Sequence, residues 1–118
     1  MREPVIFHID VNSAFLSWTA LARLEQGDPV DLRTIPSIVG GDTSTRHGVV
    51  LAKASPDHNM YRLKSQMLME HLAGICPDIE QVSIDECYMD YTPIAANYVS
   101  PEEAAAFIRH SVFEKFKF

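Results

Sequence analysis

The 118-residue sequence predicts an α+β fold, an antiparallel sheet with helices packed on one of its faces. Three observations predict it. Short apolar runs rich in β-formers occur at residues 5–9, 34–39, 48–52, 79–84 and 87–91. Three longer stretches, opening near Ser13, Pro56 and Pro101, carry apolar residues at helical spacing. Their order is strand, helix, hairpin, helix, two strands, helix, with no repeat, low-complexity segment or interior linker.

Val5-Ile6-Phe7-His8-Ile9 reads as a buried central strand that delivers Asp10 at its end. Asn12 or Ser13 can cap a helix over 13–26, with Phe15, Trp18, Leu21, Ala22 and Leu24 on one stripe and Gly27 as its stop. Residues 34–54 read as a β-hairpin whose turn is Gly40-Gly41-Asp42 and whose loop carries Arg46 and His47. Pro56 and Asp57 fall in the first turn of a second helix, ended between Gly74 and Pro77. Met60, Leu63, Met67, Leu68, Leu72 and Ile75 mark its expected buried face. Ser100-Pro101-Glu102-Glu103 is a capping box opening a last helix over 101–117, with Ala104, Phe107, Ile108 and Val112 inward.

Composition narrows the class. A hydrophobic share of 47% with 22% charged residues suits one globular domain with a core. A net charge of −6 argues against nucleic-acid binding by charge alone. Cys76 and Cys87 do not make a disulfide framework and read as buried free thiols of a reducing compartment. The first apolar run is too short for a signal peptide or a membrane span, so a cytoplasmic location with no membrane partner is expected.

The chemistry concentrates at Ser83-Ile84-Asp85-Glu86, between the apolar runs 79–82 and 87–89. Adjacent carboxylates raise each other's pKa unless a cation lies between them. With Asp10 on a neighbouring strand, Asp85 and Glu86 converge on one point, which reads as a magnesium site; surface carboxylates at strand ends are the bland alternative. Asp90 is left as support or surface. The five histidines share no metal-ligand spacing, and His8 reads as a strand residue satisfied by a neighbour. Ser13 and Ser83 read as structural caps, since sequence places no histidine base beside either.

Three blocks in order carry a family resemblance. They are residues 5–15, Ile38-Val39-Gly40-Gly41 followed by Arg46-His47-Gly48-Val49-Val50, and residues 80–90 containing Ser83-Ile84-Asp85-Glu86-Cys87-Tyr88. Together they resemble the Y-family (DinB/UmuC, ImpB/MucB/SamB) translesion DNA polymerases. The resemblance implies a palm-type sheet at 1–33 and 56–118 with a partial fingers hairpin at 34–55. It implies two Mg2+ ions (Mn2+ possible) held by Asp10, Asp85, Glu86 and the Val11 carbonyl. Phe15 matches the steric gate that excludes a ribose 2′-hydroxyl, and Val39, Val49 and Leu51 match positions covering the nascent base pair. The implied partners are primer-template DNA, a dNTP and, through regions outside this chain, a sliding clamp.

The sequence departs from the family pattern in three ways. Set against that pattern, family residues are expected to be missing between Ser55 and Pro56, the last palm strand is expected to be missing, and the thumb and little-finger domains are expected to be absent. A chain so shortened is expected to be inactive alone and to self-associate through an unpaired sheet edge. Two alternatives remain: a truncated homologue that only binds metal, nucleotide or a partner protein, and a palm-like nucleotidyl cyclase suggested by Gly40-Gly41-Asp42.

Overall fold

A computed structural model describes residues 4–35, 37–39, 52–54 and 56–118. Its backbone divides into two compact units, Met1–Val11 with Arg62–Phe118, and Asn12–Tyr61.

The first unit is a three-stranded antiparallel sheet of order β1-β5-β4, where β1 is Ile6–Asp10, β4 is Ile79–Gln81 and β5 is Glu86–Asp90. The centre is therefore β5, and β1 is an edge strand among the described residues, not the buried central strand expected from its composition. Ile6 is 51% exposed, and burial alternates along β1. The registers Phe7↔Met89, Ile9↔Cys87 and Ile79↔Met89 put one set of side chains on a single face. That face is covered by helices α2 (His58–Ile75) and α3 (Pro101–Phe116), joined to the sheet by a 3-10 helix at Thr92–Asn97. Cys87 and Met89 pack there with Leu68, Met69, Leu72, Cys76, Ile94, Ala104 and Ile108. Both cysteines are free and buried; the Cys76 thiol donates to the Asp90 carbonyl at 3.2 Å.

The covering helices sit a little rotated from the expected stripes. On α2 the buried line is Tyr61, Ser65, Leu68, Met69 and Leu72, continued by Cys76 just past its end, whereas Leu63 and Met67 are exposed. Apolarity alone misplaced the face, because Ser65 is polar yet sheltered, its hydroxyl meeting the Gln81 amide at 3.2 Å. Asp57 is the residue just before α2, not within it, and its carboxylate accepts from the Met60 amide at 3.0 Å. On α3, Ala104 and Ile108 are buried but Phe107 is half exposed, resting against Tyr98. The Ser100 hydroxyl caps Glu103 N at 3.1 Å, while the Glu103 carboxylate reaches back to Val99 N rather than to Ser100, one residue beyond a regular capping box.

In the second unit, α1 spans Ala14–Glu25. It ends as expected at Gly27, whose φ of 96° supports a Schellman closure, Gly27 N to Leu24 O and Asp28 N to Arg23 O. Its start differs from the expected side-chain cap: Ser13 sits in the left-handed region (φ 47°, ψ 53°) and makes no side-chain cap bond. Strands β2 (Ser37–Val39) and β3 (Ala52–Ala54) pair in parallel, so these two strands are not the antiparallel arms of the expected hairpin. A tight turn cannot join parallel strands, which need a connection of a dozen or so residues. The expected turn at Gly40-Gly41-Asp42, the Arg46-His47 loop and most of the strand at 48–52 lie outside the described residues, as do Ser55 and the suspected deletion point. No helix among the described residues is long and apolar enough to cross a membrane.

Candidate metal centre

The uncovered face of the first unit's sheet is built by the same alternation that builds its core. Positions Ile6, His8 and Asp10 on β1 face the same way as Glu86, Tyr88 and Asp90 on β5, with Asp10 opposite Glu86 and His8 opposite Tyr88. One ligand atom from each of His8, Asp10 and Glu86 lies within 4.8 Å of the other two. The His8 Nε2 is 2.9 Å from a Glu86 carboxylate oxygen, and both side chains are partly open to solvent. The imidazole stacks on the Tyr88 ring, with centroids 4.9 Å apart.

Asp85 precedes β5, in the turn between β4 and β5. Its carboxylate is outside the three-residue cluster and accepts from the Ser83 hydroxyl at 3.0 Å, while the same hydroxyl lies 3.2 Å from the other Glu86 oxygen. A hydroxyl carries one hydrogen, so Ser83 can serve only one carboxylate at a time. Ser83 is thus more than a turn cap: it ties the two acids together. The turn is braced by Val82 N to Glu86 O at 3.1 Å and by the Gln81 amide, which donates to the Ser83 carbonyl at 3.0 Å. Across the sheet the Val11 amide donates to the Asp85 carbonyl at 3.1 Å, fixing the chain just after Asp10 against the turn. Val11 itself packs on the hydrophobic cluster beneath.

The other residues singled out from sequence lie elsewhere. Asp90 is at the far end of β5, opposite Ile6; its carboxylate accepts from Thr92 N at 2.9 Å, and hydrogen bonding from the Thr92 side chain first, then from its backbone, holds its pKa below the usual carboxylate value. Phe15 lies on α1, 40% exposed, stacked on Tyr61 with centroids 4.5 Å apart and edge-on to His58. Val39 packs with Leu16 against Ala20 and Leu32. Val49 and Leu51 lie outside the described residues.

The residue that sequence reasoning passed over is His8. A signal was present: a residue two positions before Asp10 on a strand must share its face. The neighbour that satisfies His8 is itself one of the candidate ligands. The donor set suits a divalent cation, because carboxylate oxygens dominate it and two of the acids are held close by a shared hydroxyl and a cross-strand pair.

Comparison with known proteins agrees with this architecture. DNA polymerase IV of Clostridium acetobutylicum is 43% identical over 117 residues, taking in 76% of this chain and 30% of the relative. DNA polymerase IV of Alkaliphilus oremlandii is 31% identical over 139 residues, taking in 95% of this chain and 33% of the relative. That second alignment is longer than the chain, so it includes positions with no residue here. The chain spans about a third of the length of these curated relatives.

Among solved structures, a DinB family error-prone DNA polymerase from Sulfolobus solfataricus superposes with a TM-score of 0.73 at 18% identity, over 95% of this chain and 38% of that one. A Dbh ternary complex gives 0.72 at 19% identity, over 95% and 38%. These two likenesses speak for the fold. The model of the impB/mucB/samB family matches residues 50–118, more than half of the sequence, and the chain belongs to that family, the Y-family polymerases.

Proposed function

We propose that this chain carries the metal-binding palm of a DNA-directed DNA polymerase acting in translesion synthesis. The observation that carries the reading is the pairing of Asp10 and Glu86 across the open sheet face, with Asp85 on the adjoining turn, in a member of this family. Asp10, Asp85, Glu86 and the Val11 carbonyl would hold two Mg2+ ions. Bound there, such ions supply Lewis acidity toward a primer 3′-hydroxyl and neutralise charge on a triphosphate.

The chain's own residues do the rest. Ser83 can donate to either the Asp85 or the Glu86 carboxylate, which limits the reorganisation needed to bind cations. The Val11–Asp85 bond holds the backbone after Asp10 in register with the acidic turn. Phe15 would act as a steric gate against a 2′-hydroxyl, its ring held by stacking on Tyr61. Val39, Val49 and Leu51 would cover the nascent base pair. Primer-template DNA and a dNTP are the partners that accompany this reading, with a sliding clamp met outside these residues and the cytoplasm as the working compartment. Strands β1 and β4 end the sheet among the described residues, which favours self-association by edge pairing.

A second reading keeps the centre without the polymerisation: a protein that binds cations or nucleotide, resting on the same cluster of His8, Asp10 and Glu86. Titration of Mg2+ and Mn2+ into the 118-residue chain, paired with templated primer extension, separates the two. Ion binding lost in Asp10→Asn supports the centre under both readings, and extension by the same protein decides for polymerisation. Wild-type binding that Asp10→Asn leaves unchanged overturns the centre. Conversion of GTP without a template would point to a cyclase.

A further inference from the structure

In the second unit an exposed imidazole, that of His58, stands against the Phe15 ring. Phe15 and Tyr61 form a stack, their centroids 4.5 Å apart and their planes 13° from parallel. Tyr61 is the fixed partner: it is fully buried, and its hydroxyl shares a 2.7 Å hydrogen bond with that of Thr19. Stacking on Tyr61 sets how deep Phe15 can sink, but the attraction between two faces is broad and resists sideways slip only weakly. His58 meets that weakness from the side. Its centroid is 6.3 Å from Phe15 and 5.9 Å from Tyr61, and its plane is 88° and 89° from theirs. Nearly equidistant from both rings and perpendicular to both, it spans the edge of the stack and covers neither face. Edge-to-face contact is itself a favoured aromatic geometry. The backbone beneath is fixed as well. His58 opens α2, and Asp57 before it accepts from Met60 N through its carboxylate and from Tyr61 N through its carbonyl.

We propose that His58 is a positioning residue for the steric gate: its ring blocks lateral slip of Phe15 on Tyr61 and so sharpens the exclusion of a ribose 2′-hydroxyl. The inference rests on the gate reading of Phe15 and adds the brace that keeps that ring in place. A wall that rejects one extra oxygen by contact discriminates only as far as it stays put, and a small slip of the ring admits it. His58 acts through the ring of Phe15, so its flat shape matters and its nitrogens do not.

The test uses the 118-residue chain with dATP and ATP. Each is titrated calorimetrically, with Mg2+ present, into wild type, Phe15→Ala, His58→Ala and His58→Phe. The ratio of the two dissociation constants measures discrimination, and urea unfolding run alongside checks the fold. The expected result is a preference for dATP in wild type that Phe15→Ala abolishes. His58→Ala should lower that preference about threefold or more while nearly keeping the affinity for dATP, and His58→Phe, which restores a flat ring, should recover it. An unchanged ratio in His58→Ala, with Phe15→Ala still abolishing the preference, overturns the brace and leaves the gate standing. A ratio in His58→Phe as low as in His58→Ala also overturns it, since the nitrogens and not the ring would then matter. No binding or no preference in wild type, or a preference that survives Phe15→Ala, overturns the gate reading and this inference with it. His58 is exposed, so loss of fold is not expected of His58→Ala; should it occur, His58→Gln removes the ring in the same way and takes its place.

Discussion

The two faces of one small sheet do opposite work. On the covered face Cys87 and Met89 are fully buried, flanked by Phe7, Ile9 and Ile79 and roofed by α2 and α3. On the other face, one residue out of step, His8, Glu86 and Tyr88 are held by a cross-strand hydrogen bond, a ring stack and a serine hydroxyl, with Asp10 opposite Glu86 in the register. The first face is held by burial, which is non-directional and large; the second by polar contacts, which are directional and small. A strand can therefore carry stability and chemistry at alternate positions with little interference. Slipping the register by one residue would bury the acids and expose the core, so the hydrophobic face fixes where the carboxylates stand.

Substitution on the covered face should break stability and leave ion binding alone. Met89→Ala removes a fully buried side chain at the centre of β5. It should cost about 3 kcal/mol, read as a lower urea midpoint with an unchanged slope. Below that midpoint, Mn2+ affinity should match wild type. Asp10→Asn should do the reverse. Outer-shell partners of a metal are worth about 10–100-fold in affinity, so loss of a direct carboxylate ligand should reach or exceed that, seen by titration. Folding stability should stay within about 0.5 kcal/mol, since Asp10 is exposed. A variant that moved both quantities equally would dissolve the division between the faces.

How much of this was legible beforehand differs between the same two faces. Charge placed against apolar runs singles out Asp10, Asp85 and Glu86, of which Asp10 and Glu86 pair across the sheet and Asp85 stands on the turn outside their cluster; the β4–β5 pair with its acidic turn is local enough to read. His8 reads as a strand residue satisfied by a neighbour, and it is; which neighbour is not legible, because Glu86 is 78 positions away and only the antiparallel register Asp10↔Glu86 brings the two together. The rank of β1 is not legible, because a run of four apolar residues around His8 looks central whether or not a second neighbour exists. The parallel pairing of β2 with β3 was hidden for a related reason: two strands with turn residues between them suggest a hairpin, and strand direction is not written in composition. On α2, apolarity points Leu63 and Met67 inward, but Ser65 holds the sheltered position, a polar residue that reads as outside until its partner Gln81 is known.

Ser83 links the turn's two acids, so a smaller effect is expected there and it should register on the chemical side. Ser83→Ala removes a hydroxyl 3.0 Å from Asp85 and 3.2 Å from Glu86. Loss of one such bond to a charged acceptor is worth about 1.5 kcal/mol before solvent is considered, and less at this partly exposed turn. Mn2+ affinity should fall severalfold, with thermal stability shifted by no more than a few degrees. An unchanged affinity would mean that the carboxylates need no restraint from the turn.

The smallest expected effect concerns pH, and it locates acid sensitivity on the covered side. His71 on α2 meets the Ser111 hydroxyl of α3 at 3.0 Å and the edge of Phe116. Since that hydroxyl donates to the Ile108 carbonyl, His71 Nε2 is the donor to it, which a neutral ring can satisfy. Burial, then the Lys115 charge, holds the His71 pKa below its usual 6.5. The unfolded chain therefore binds the proton more readily than the folded one. Stability from this group is full above 6.5 and is lost as pH falls through the interval between 6.5 and the lower folded value. The carboxylates Asp31 and Asp90 are also depressed, but from 3.8, so their contribution disappears only in a lower window. Urea midpoints measured from about pH 7.5 down to about pH 4.5 should decline in wild type, and His71→Gln should flatten that decline without touching the part below. If His8→Gln flattened it instead, acid sensitivity would belong to the open face, and the separation of stability from chemistry would hold only at neutral pH.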